Sequence, residues 1–102
     1  MAEQPGQPDF LIHDEGDAVA VAVRDLAPGP ASGAYLSGDA VVRLDLLEAI
    51  PLGHKLALSE ITEGQDIIEY GQRVGIALRD IARGGYVHVH NVRSARWQNS
   101  LA

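Results

Sequence analysis

A short turn motif occurs four times along the chain, and it constrains the fold more than any other feature. Each copy has a Leu or Ile, two intervening residues and then a Gly, at residues 26–29, 50–53, 61–64 and 81–84. Such a segment predicts a strand that ends, an apolar side chain turned into the core, and a tight turn that the Gly allows to close. The copies are unevenly spaced, which favours one compact domain over a solenoid with a fixed period.

Acidic residues precede the apolar residue in three of the four copies, as Asp25, Glu60 and Asp80. A carboxylate in this position can accept hydrogen bonds from the backbone N–H groups of a turn. In the same three copies an Ala stands four residues before the apolar residue, so the repeat is longer than the turn itself. We therefore expect these acids to have a structural role.

Apolar segments between the turns predict short strands. Residues 18–23 lack polar alternation, which indicates a strand covered on both faces. Gly75 lies inside a predicted strand and indicates close backbone approach or a bulge. Residues 30–39 are rich in Pro, Ala, Ser and Gly and predict a flexible loop with room for a brief strand at 34–36, while 46–50 could form one helical turn. The predicted fold is mostly β, with eight or nine short strands joined by tight Gly turns and little helix. The predicted strands are 10–13, 18–23, 40–44, 55–58, 66–70, 73–78 and 86–97, with the brief strand at 34–36 as an eighth.

Length and composition limit the classes of function. The chain has 102 residues, no Cys and a net charge of −6, which predicts a single domain, a reducing cytoplasmic location and no nucleic-acid partner. Apolar runs stay well short of the roughly 18 residues of a membrane span, so no membrane association is expected. We expect a disordered lead at 1–9, the domain at 10–97 and a tail at 98–102.

The densest chemistry lies in residues 86–97. On one strand, His88 and His90 would share a face, because side chains two residues apart point the same way. They could share a metal ion or an anionic group, with Asn91 and Arg93 adding a neutral donor and a fixed cation. The alternative is an ordinary solvated edge strand. A metal here would need ligands from elsewhere in the chain or from another chain, since a complete zinc site has four ligands.

A second cluster follows Pro51, where His54 stands beside Lys55, the only Lys in the chain. In an acidic protein this pair forms a local basic spot suited to a carboxylate or sulfonate. The alternative is that Lys55 only pairs with a surface acid. His13 could be a ligand, although a capping or solvated role suits it better. The sequence has no Cys nucleophile, nucleophile elbow, Walker loop or dinucleotide fingerprint.

Several blocks of the sequence together resemble one known family. The most specific are Pro-Leu-Gly-His-Lys at 51–55 and His-Val-His-Asn at 88–91, with further similarity at 17–26 and 68–75. They resemble the small amino-terminal domain of the altronate/galactarate dehydratase family, a SAF-type domain with a β-clip fold. The resemblance covers about residues 10–97. In that family the domain is fused to a large catalytic domain or forms a separate small subunit, and this chain resembles the separate subunit.

The resemblance implies a small subunit of a carbon–oxygen or carbon–sulfur lyase that acts on an anionic 2-hydroxy acid. The activity would be of the altronate dehydratase or (2R)-sulfolactate sulfo-lyase type, with residues 13–17 and 94–97 closer to the latter. It also implies a large catalytic subunit as partner and a divalent metal, iron in the first instance, held mainly by that subunit. Formation of a homo-oligomer by the isolated chain remains open. The alternative is a non-catalytic β-clip module that binds a sugar acid or another protein.

Roles for individual residues follow from the same resemblance. His54 and Lys55 would face an anion, and His88 and His90 would face substrate or metal. Asn91 and Arg93 would orient the substrate. The pair that follows, Arg96 and Trp97, would dock to the large subunit.

Overall fold

In the computed structural model, which describes residues 8–36 and 40–94, the chain forms nine short strands. No helix occurs in this part of the chain, so the expected mostly β fold with tight turns is confirmed. Accordingly, it contains no helix long and apolar enough to cross a membrane. The strands are β1 (Phe10–Ile12), β2 (Val19–Ala22), β3 (Gly29–Tyr35), β4 (Val41–Leu46), β5 (Lys55–Ala57), β6 (Asp66–Glu69), β7 (Gln72–Ala77), β8 (Tyr86–Val87) and β9 (Val92–Ser94).

Two sheets organise these strands. The larger has six strands in the order β4-β3-β1-β2-β5-β8, and the smaller has three in the order β6-β7-β9. Neighbouring strands are antiparallel except β1 and β3, which are parallel. The sheets are joined by backbone hydrogen bonds, for example from the N–H of Ala18 to the carbonyl of Ile68 at 2.8 Å.

The four copies of the turn motif meet in two pairs. Leu26 and Ile50 exchange two backbone hydrogen bonds of 2.8 and 2.9 Å, and Ile61 and Ile81 exchange two of 2.8 and 2.7 Å. All four side chains are buried, which confirms the predicted inward position. Each pair therefore places two chain reversals back to back and anchors both in the core.

The acids of the motif act across these pairs. Asp25 accepts a 2.8 Å hydrogen bond from the N–H of Leu52, and Asp80 accepts one of 2.8 Å from the N–H of Glu63. In both cases the donor stands two residues beyond the opposing apolar residue, so each acid caps the turn of the other copy. The predicted structural role is confirmed for Asp25 and Asp80, whereas Glu60 makes no such bond within the described residues.

The repeated Ala and Gly of the motif are also paired. The N–H groups of three motif glycines donate to the carbonyl oxygens of the three motif alanines at 2.8 to 2.9 Å. These glycines have positive φ values of 83° to 86°, a conformation that costs an L-residue energy. The bonds are Gly53 to Ala22, Gly64 to Ala77 and Gly84 to Ala57.

Strands β2 and β5 form a wall between two hydrophobic cores. Ala20 of β2 and Leu56 of β5 pack in the first core, while Val19 and Ala57 pack in the second. All four are fully buried, so the strand predicted at 18–23 is covered on both faces at Val19 and Ala20, whereas Val23 at its end is exposed. The buried members of the first core are Phe10, Ile12, Ala20, Ala22, Leu26, Ala31, Leu44, Leu46, Ile50 and Leu56, and those of the second are Val19, Ala57, Ile61, Ile67, Ala77, Ile81 and Val87.

Two local predictions are wrong. Residues 29–35, expected to lie largely in a flexible loop, form the seven-residue strand β3, which pairs with β1 and β4 on its two edges. Its Gly33 lies against the ring of Phe10, where any Cβ atom would overlap the ring, so glycine here serves packing rather than flexibility. The helical turn expected at 46–50 does not form, because Leu46 ends β4 and Ile50 pairs with Leu26. Residues 37–39 of the predicted loop lie outside the described residues.

Candidate functional site

The segment expected to form one long strand at 86–97 is instead divided by a turn, and this division creates the site. Residues 88–91 form the turn, which carries the chain from β8 in the larger sheet to β9 in the smaller one. Asn91 is 5% exposed and holds the turn with its amide. Its Oδ1 accepts a bond from the N–H of His88 at 2.9 Å, and its Nδ2 donates to the carbonyl of Tyr86 at 2.8 Å.

An open groove of about 750 Å³ lies where the two sheets meet. It brings together His54, Lys55, His88 and Arg93, four of the residues selected from the sequence. The remaining lining is largely apolar and comes mainly from the smaller sheet and the 88–91 turn. The other lining residues are Gly53, Ile67, Glu69, Val74, Leu78, Val87, Val89, Val92 and Ser94.

The register of β5 and β8 brings the two predicted clusters together. Lys55 pairs with Val87 in antiparallel register, so the residue before Lys55 faces the residue after Val87. His54 and His88 therefore lie side by side, with ring centroids 4.8 Å apart. A single strand pairing thus brings into contact two clusters that are far apart in the sequence.

Tyr86 connects the imidazoles. Its hydroxyl oxygen lies 2.6 Å from Nδ1 of His54, and its ring is nearly parallel to that of His88 at a centroid distance of 5.4 Å. His90 also packs against Tyr86, with the two ring centroids 5.5 Å apart. The hydrogen bond fixes the orientation of His54 and leaves its Nε2 as the ring nitrogen available for another partner. The sequence analysis did not select Tyr86, although it shares the alternation of His88 and His90.

Lys55 faces an acidic residue that the sequence analysis also missed. Nζ of Lys55 lies 3.7 Å from Oε1 of Glu69, and Nδ1 of His13 lies 3.7 Å from Oε2. The Glu69 side chain is only 6% exposed. The signal was present in the alternation of β6, since Ile67 and Glu69 stand two residues apart and share a face.

His13 has a different environment from the capping or solvated one expected. Its ring stacks on Tyr70 at a centroid distance of 3.8 Å, and its Nε2 lies 2.7 Å from the Tyr70 hydroxyl oxygen. Tyr70 and Gly71 form the two-residue turn between β6 and β7, with φ values of 60° and 71°. Buried Asp17 holds this turn by accepting hydrogen bonds from both N–H groups, so His13 and Tyr70 are fixed in place.

A bulge shapes the apolar wall of the groove. Ile67 pairs with Gly75 and Ile68 with Arg73, which leaves Val74 unpaired on β7 and lining the groove. A Cβ atom on Gly75 would lie 2.7 Å from the side chain of Val92, because β9 approaches the backbone closely there. Both alternatives offered for Gly75, a bulge and close approach, are confirmed.

The remaining predicted site residues lie away from the groove lining or outside the described chain. His90 belongs to the aromatic cluster, and the amide of Asn91 is engaged by backbone groups of its own turn. Arg96 and Trp97 lie outside the described residues. Within residues 8–36 and 40–94, no group of three His, Asp or Glu side chains is placed to hold a metal ion. The binding and metal roles therefore stay predictions.

The amino-acid sequence matches one known protein family over most of its length. The family model for the altronate/galactarate dehydratase SAF domain matches residues 8–95, which include every strand described above. The chain belongs to this SAF-domain family. Its β-clip architecture of short strands, expected from the resemblance, agrees with the two curled sheets.

Curated relatives of this SAF domain include separate subunits and longer enzymes. The (2R)-sulfolactate sulfo-lyase subunit alpha of Chromohalobacter salexigens is 38% identical over 94 residues, covering 87% of this chain and 97% of the relative. The subunit of the same name from Paracoccus pantotrophus is 40% identical over 55 residues, which are 54% of this chain and 82% of the relative. Altronate dehydratase of Escherichia coli is 44% identical over 78 residues, covering 76% of this chain but only 15% of that enzyme. The SAF domain thus matches subunit alpha over almost its full length and altronate dehydratase over a small part.

Proposed function

We propose that this chain is a non-autonomous small subunit of a lyase that eliminates sulfite or water from an anionic 2-hydroxy acid. The observation that carries the proposal is the groove, whose lining includes His54, Lys55, His88 and Arg93. Two fixed cations and two imidazoles around an open space suit a carboxylate or a sulfonate. The groove would hold an anionic group of the substrate, and the large subunit would complete the site.

Beta-elimination explains why two subunits would be needed. The reaction requires a base at the carbon next to the carboxylate, stabilisation of the enolate-like charge, and assistance to the leaving group. The groove offers cations and neutral imidazoles that can hold and orient an anion. We assign the base that removes the proton from carbon to the large subunit, because the acid in the groove, Glu69, lies beside Lys55.

Sulfolactate is our first choice of substrate. The similarity to subunit alpha of the sulfolactate enzyme extends over 97% of that relative, and the word subunit in its name supports a partner chain. Altronate stays the second choice, because the similarity to altronate dehydratase covers the domain alone. Loss of sulfite from sulfolactate would leave the enol of a 2-keto acid, and loss of water from a sugar acid would leave a 2-keto-3-deoxy acid.

A divalent metal, iron in the first instance, is part of the proposal. We assign it mainly to the large subunit, since the described residues bring no three suitable ligands together. When bound there, the metal would act as a Lewis acid toward the substrate oxygen. His88 and His90 would add at most a minority of the ligands. Metal analysis of each subunit before and after mixing tests the assignment, which predicts that iron purifies with the large subunit.

The test of function is reconstitution with the large subunit from the same organism. We expect sulfite release from (2R)-sulfolactate in the mixture and none from either subunit alone. Lys55→Met and His88→Gln in the small subunit should lower kcat/KM at least tenfold. Asp66→Asn, an exposed change outside the groove lining, serves as the control. Activity that does not depend on this chain would reject the proposal, and binding of a sugar acid without elimination in the mixture would favour a non-catalytic module.

A further inference from the structure

Among the residues that the structure describes, Glu69 is the one acidic side chain that lines the groove, and the proposed function does not use it. Its carboxylate is nearly buried, and its two oxygens face two different partners. Oε1 lies 3.7 Å from the ammonium of Lys55, and Oε2 lies 3.7 Å from Nδ1 of His13. A single carboxylate is thus shared between a cation inside the groove and an imidazole behind it.

Both contacts of the Glu69 carboxylate are longer than a hydrogen bond. A nearly buried carboxylate needs charge compensation, because removing an ion from water is costly. Direct hydrogen bonds to a carboxylate have N···O distances near 2.7–2.9 Å, so the 3.7 Å contacts to Lys55 and His13 are both longer than a tight bond. The Lys55 side chain is 40% exposed, so its ammonium remains accessible to a ligand.

Besides Lys55, His13 is the second side chain that faces the Glu69 carboxylate. Its Nδ1 is buried and has no hydrogen-bond partner within residues 8–36 and 40–94, although Oε2 of Glu69 lies in front of it. The Tyr70 hydroxyl lies 2.7 Å from the other ring nitrogen. If the hydroxyl donates to Nε2, the ring proton stands on Nδ1 and points at Glu69. A small movement of the carboxylate would turn this contact into a hydrogen bond.

We infer that Glu69 is an internal counter-ion of Lys55 that a bound anion displaces, with His13 receiving the released carboxylate. Glu69 then sets a threshold of affinity, because every anion that enters must compete with it for Lys55 and loses the same binding free energy in doing so. A simple anion gains little from the exchange. An acid that also reaches Arg93 or His88 gains additional contacts and is favoured. The inference rests on the proposed function only in that the groove binds anions, with or without lyase activity.

Glu69→Gln in the isolated full-length chain tests the exchange, with inorganic sulfate and (2R)-sulfolactate as probes. The single Lys makes the 13Cε signal of Lys55 a selective reporter of binding. Because the substitution keeps the shape and removes the competing charge, we expect sulfate affinity to rise roughly two- to fivefold, the range of one partly exposed ion pair. Sulfolactate affinity should rise by a similar factor, because both anions displace the same carboxylate. Asp66→Asn removes an equal charge from an exposed site on the same strand and should change sulfate affinity less than twofold.

A second measurement uses the unmodified protein and so does not depend on the folding of the variant. The imidazole 15N signals of His13 should move when sulfate binds at Lys55, and this response should vanish in Lys55→Met. Sulfate binding that leaves His13 unmoved would overturn the exchange, as would equal or weaker sulfate binding by a folded Glu69→Gln chain. Neither result bears on reconstituted lyase activity, so failure of this inference and failure of the proposed function are distinguishable.

Discussion

The hydroxyl oxygen of Tyr86 lies 2.6 Å from Nδ1 of His54, and this contact joins the two clusters that the sequence keeps apart. It is made between neighbouring strands, β5 and β8, beside the point where His54 meets His88. A hydrogen bond here fixes the ring orientation of a residue at the groove wall. The chemistry of the groove therefore depends on a phenol that does not itself line it.

Removal of that hydroxyl in Tyr86→Phe should release the His54 ring. We expect the free energy of unfolding to fall by about 1 kcal/mol, as for the loss of one hydrogen bond. Sulfolactate affinity, measured by titration calorimetry, should fall roughly fivefold, because an unrestrained ring pays more entropy on binding. Tyr35→Phe, on β3 away from the groove, is the matched control and should leave affinity unchanged. Unaltered affinity in Tyr86→Phe would remove His54 from the binding site.

Asn91 should be important for the shape of the turn. Asn91→Ala removes both hydrogen bonds of the buried amide, and we expect unfolding by urea to show a loss of about 2 kcal/mol. The His88 amide signal should shift in NMR spectra as the turn relaxes. Val89→Ala, in the same turn but with a side chain that is 77% exposed, should change stability by less than about 0.5 kcal/mol. If the two variants are equally stable, the amide does not hold the turn.

Two glycines of the turn motif provide a matched pair. Gly64 and Gly84 have φ values of 84° and 86°, so alanine is strained by the same backbone conformation at either position. A Cβ atom on Gly64 meets nothing within 4 Å, whereas one on Gly84 would overlap the carbonyl oxygen of Asp45. We expect Gly64→Ala to cost about 1 kcal/mol and Gly84→Ala about 3 kcal/mol or more in thermal unfolding. Similar losses of stability in the two variants would mean that β4 can move away from Gly84 with little loss of free energy.

The capping acids of the motif give a third comparison of stability. Asp25→Ala and Asp80→Ala each remove an acceptor from the N–H of an opposing turn, and each should cost about 1 kcal/mol of the free energy of unfolding. Glu60→Ala changes the equivalent acid of a third copy, which makes no such bond, and should be nearly neutral. Chemical denaturation of the three variants under one condition measures these free energies of unfolding and allows them to be compared. A cost for Glu60→Ala equal to the other two would show that charge alone is responsible.

The sequence predicted local features well because their causes are local. The apolar residues of the motif turned out to be buried, and Asp25 and Asp80 bind turns, since a tight reversal needs a Gly and an acceptor close by. The pairing of motif copies was not predicted, because Leu26 could meet any of three equivalent partners. Which one it meets depends on packing across the whole domain.

At the site, the residue types were predictable and their arrangement was not. His54 and His88 were selected by chemistry, but one long strand was expected where a turn lies, because Val87 and Val89 alternate with His88 and His90. The turn depends on the amide of Asn91, which was interpreted as a substrate-orienting group. Glu69 was overlooked because an acid within a strand is usually read as solvent-facing, although its spacing from Ile67 places it inward.

Strands β2 and β5 separate the two hydrophobic cores, and this position affects how their pairing register is selected. In most half-buried strands, slipping by one residue exposes apolar side chains, so polarity prevents the error. At the four fully buried positions of this wall, a slip would exchange Val19 with Ala20 and Leu56 with Ala57, so polarity does not distinguish the two alignments there. Correct alignment must therefore be selected by volume, because a large side chain would enter the space of a small one and leave a cavity behind. In these two strands the difference between alanine and a larger aliphatic residue carries the alignment information that hydrophobic and polar alternation carries elsewhere.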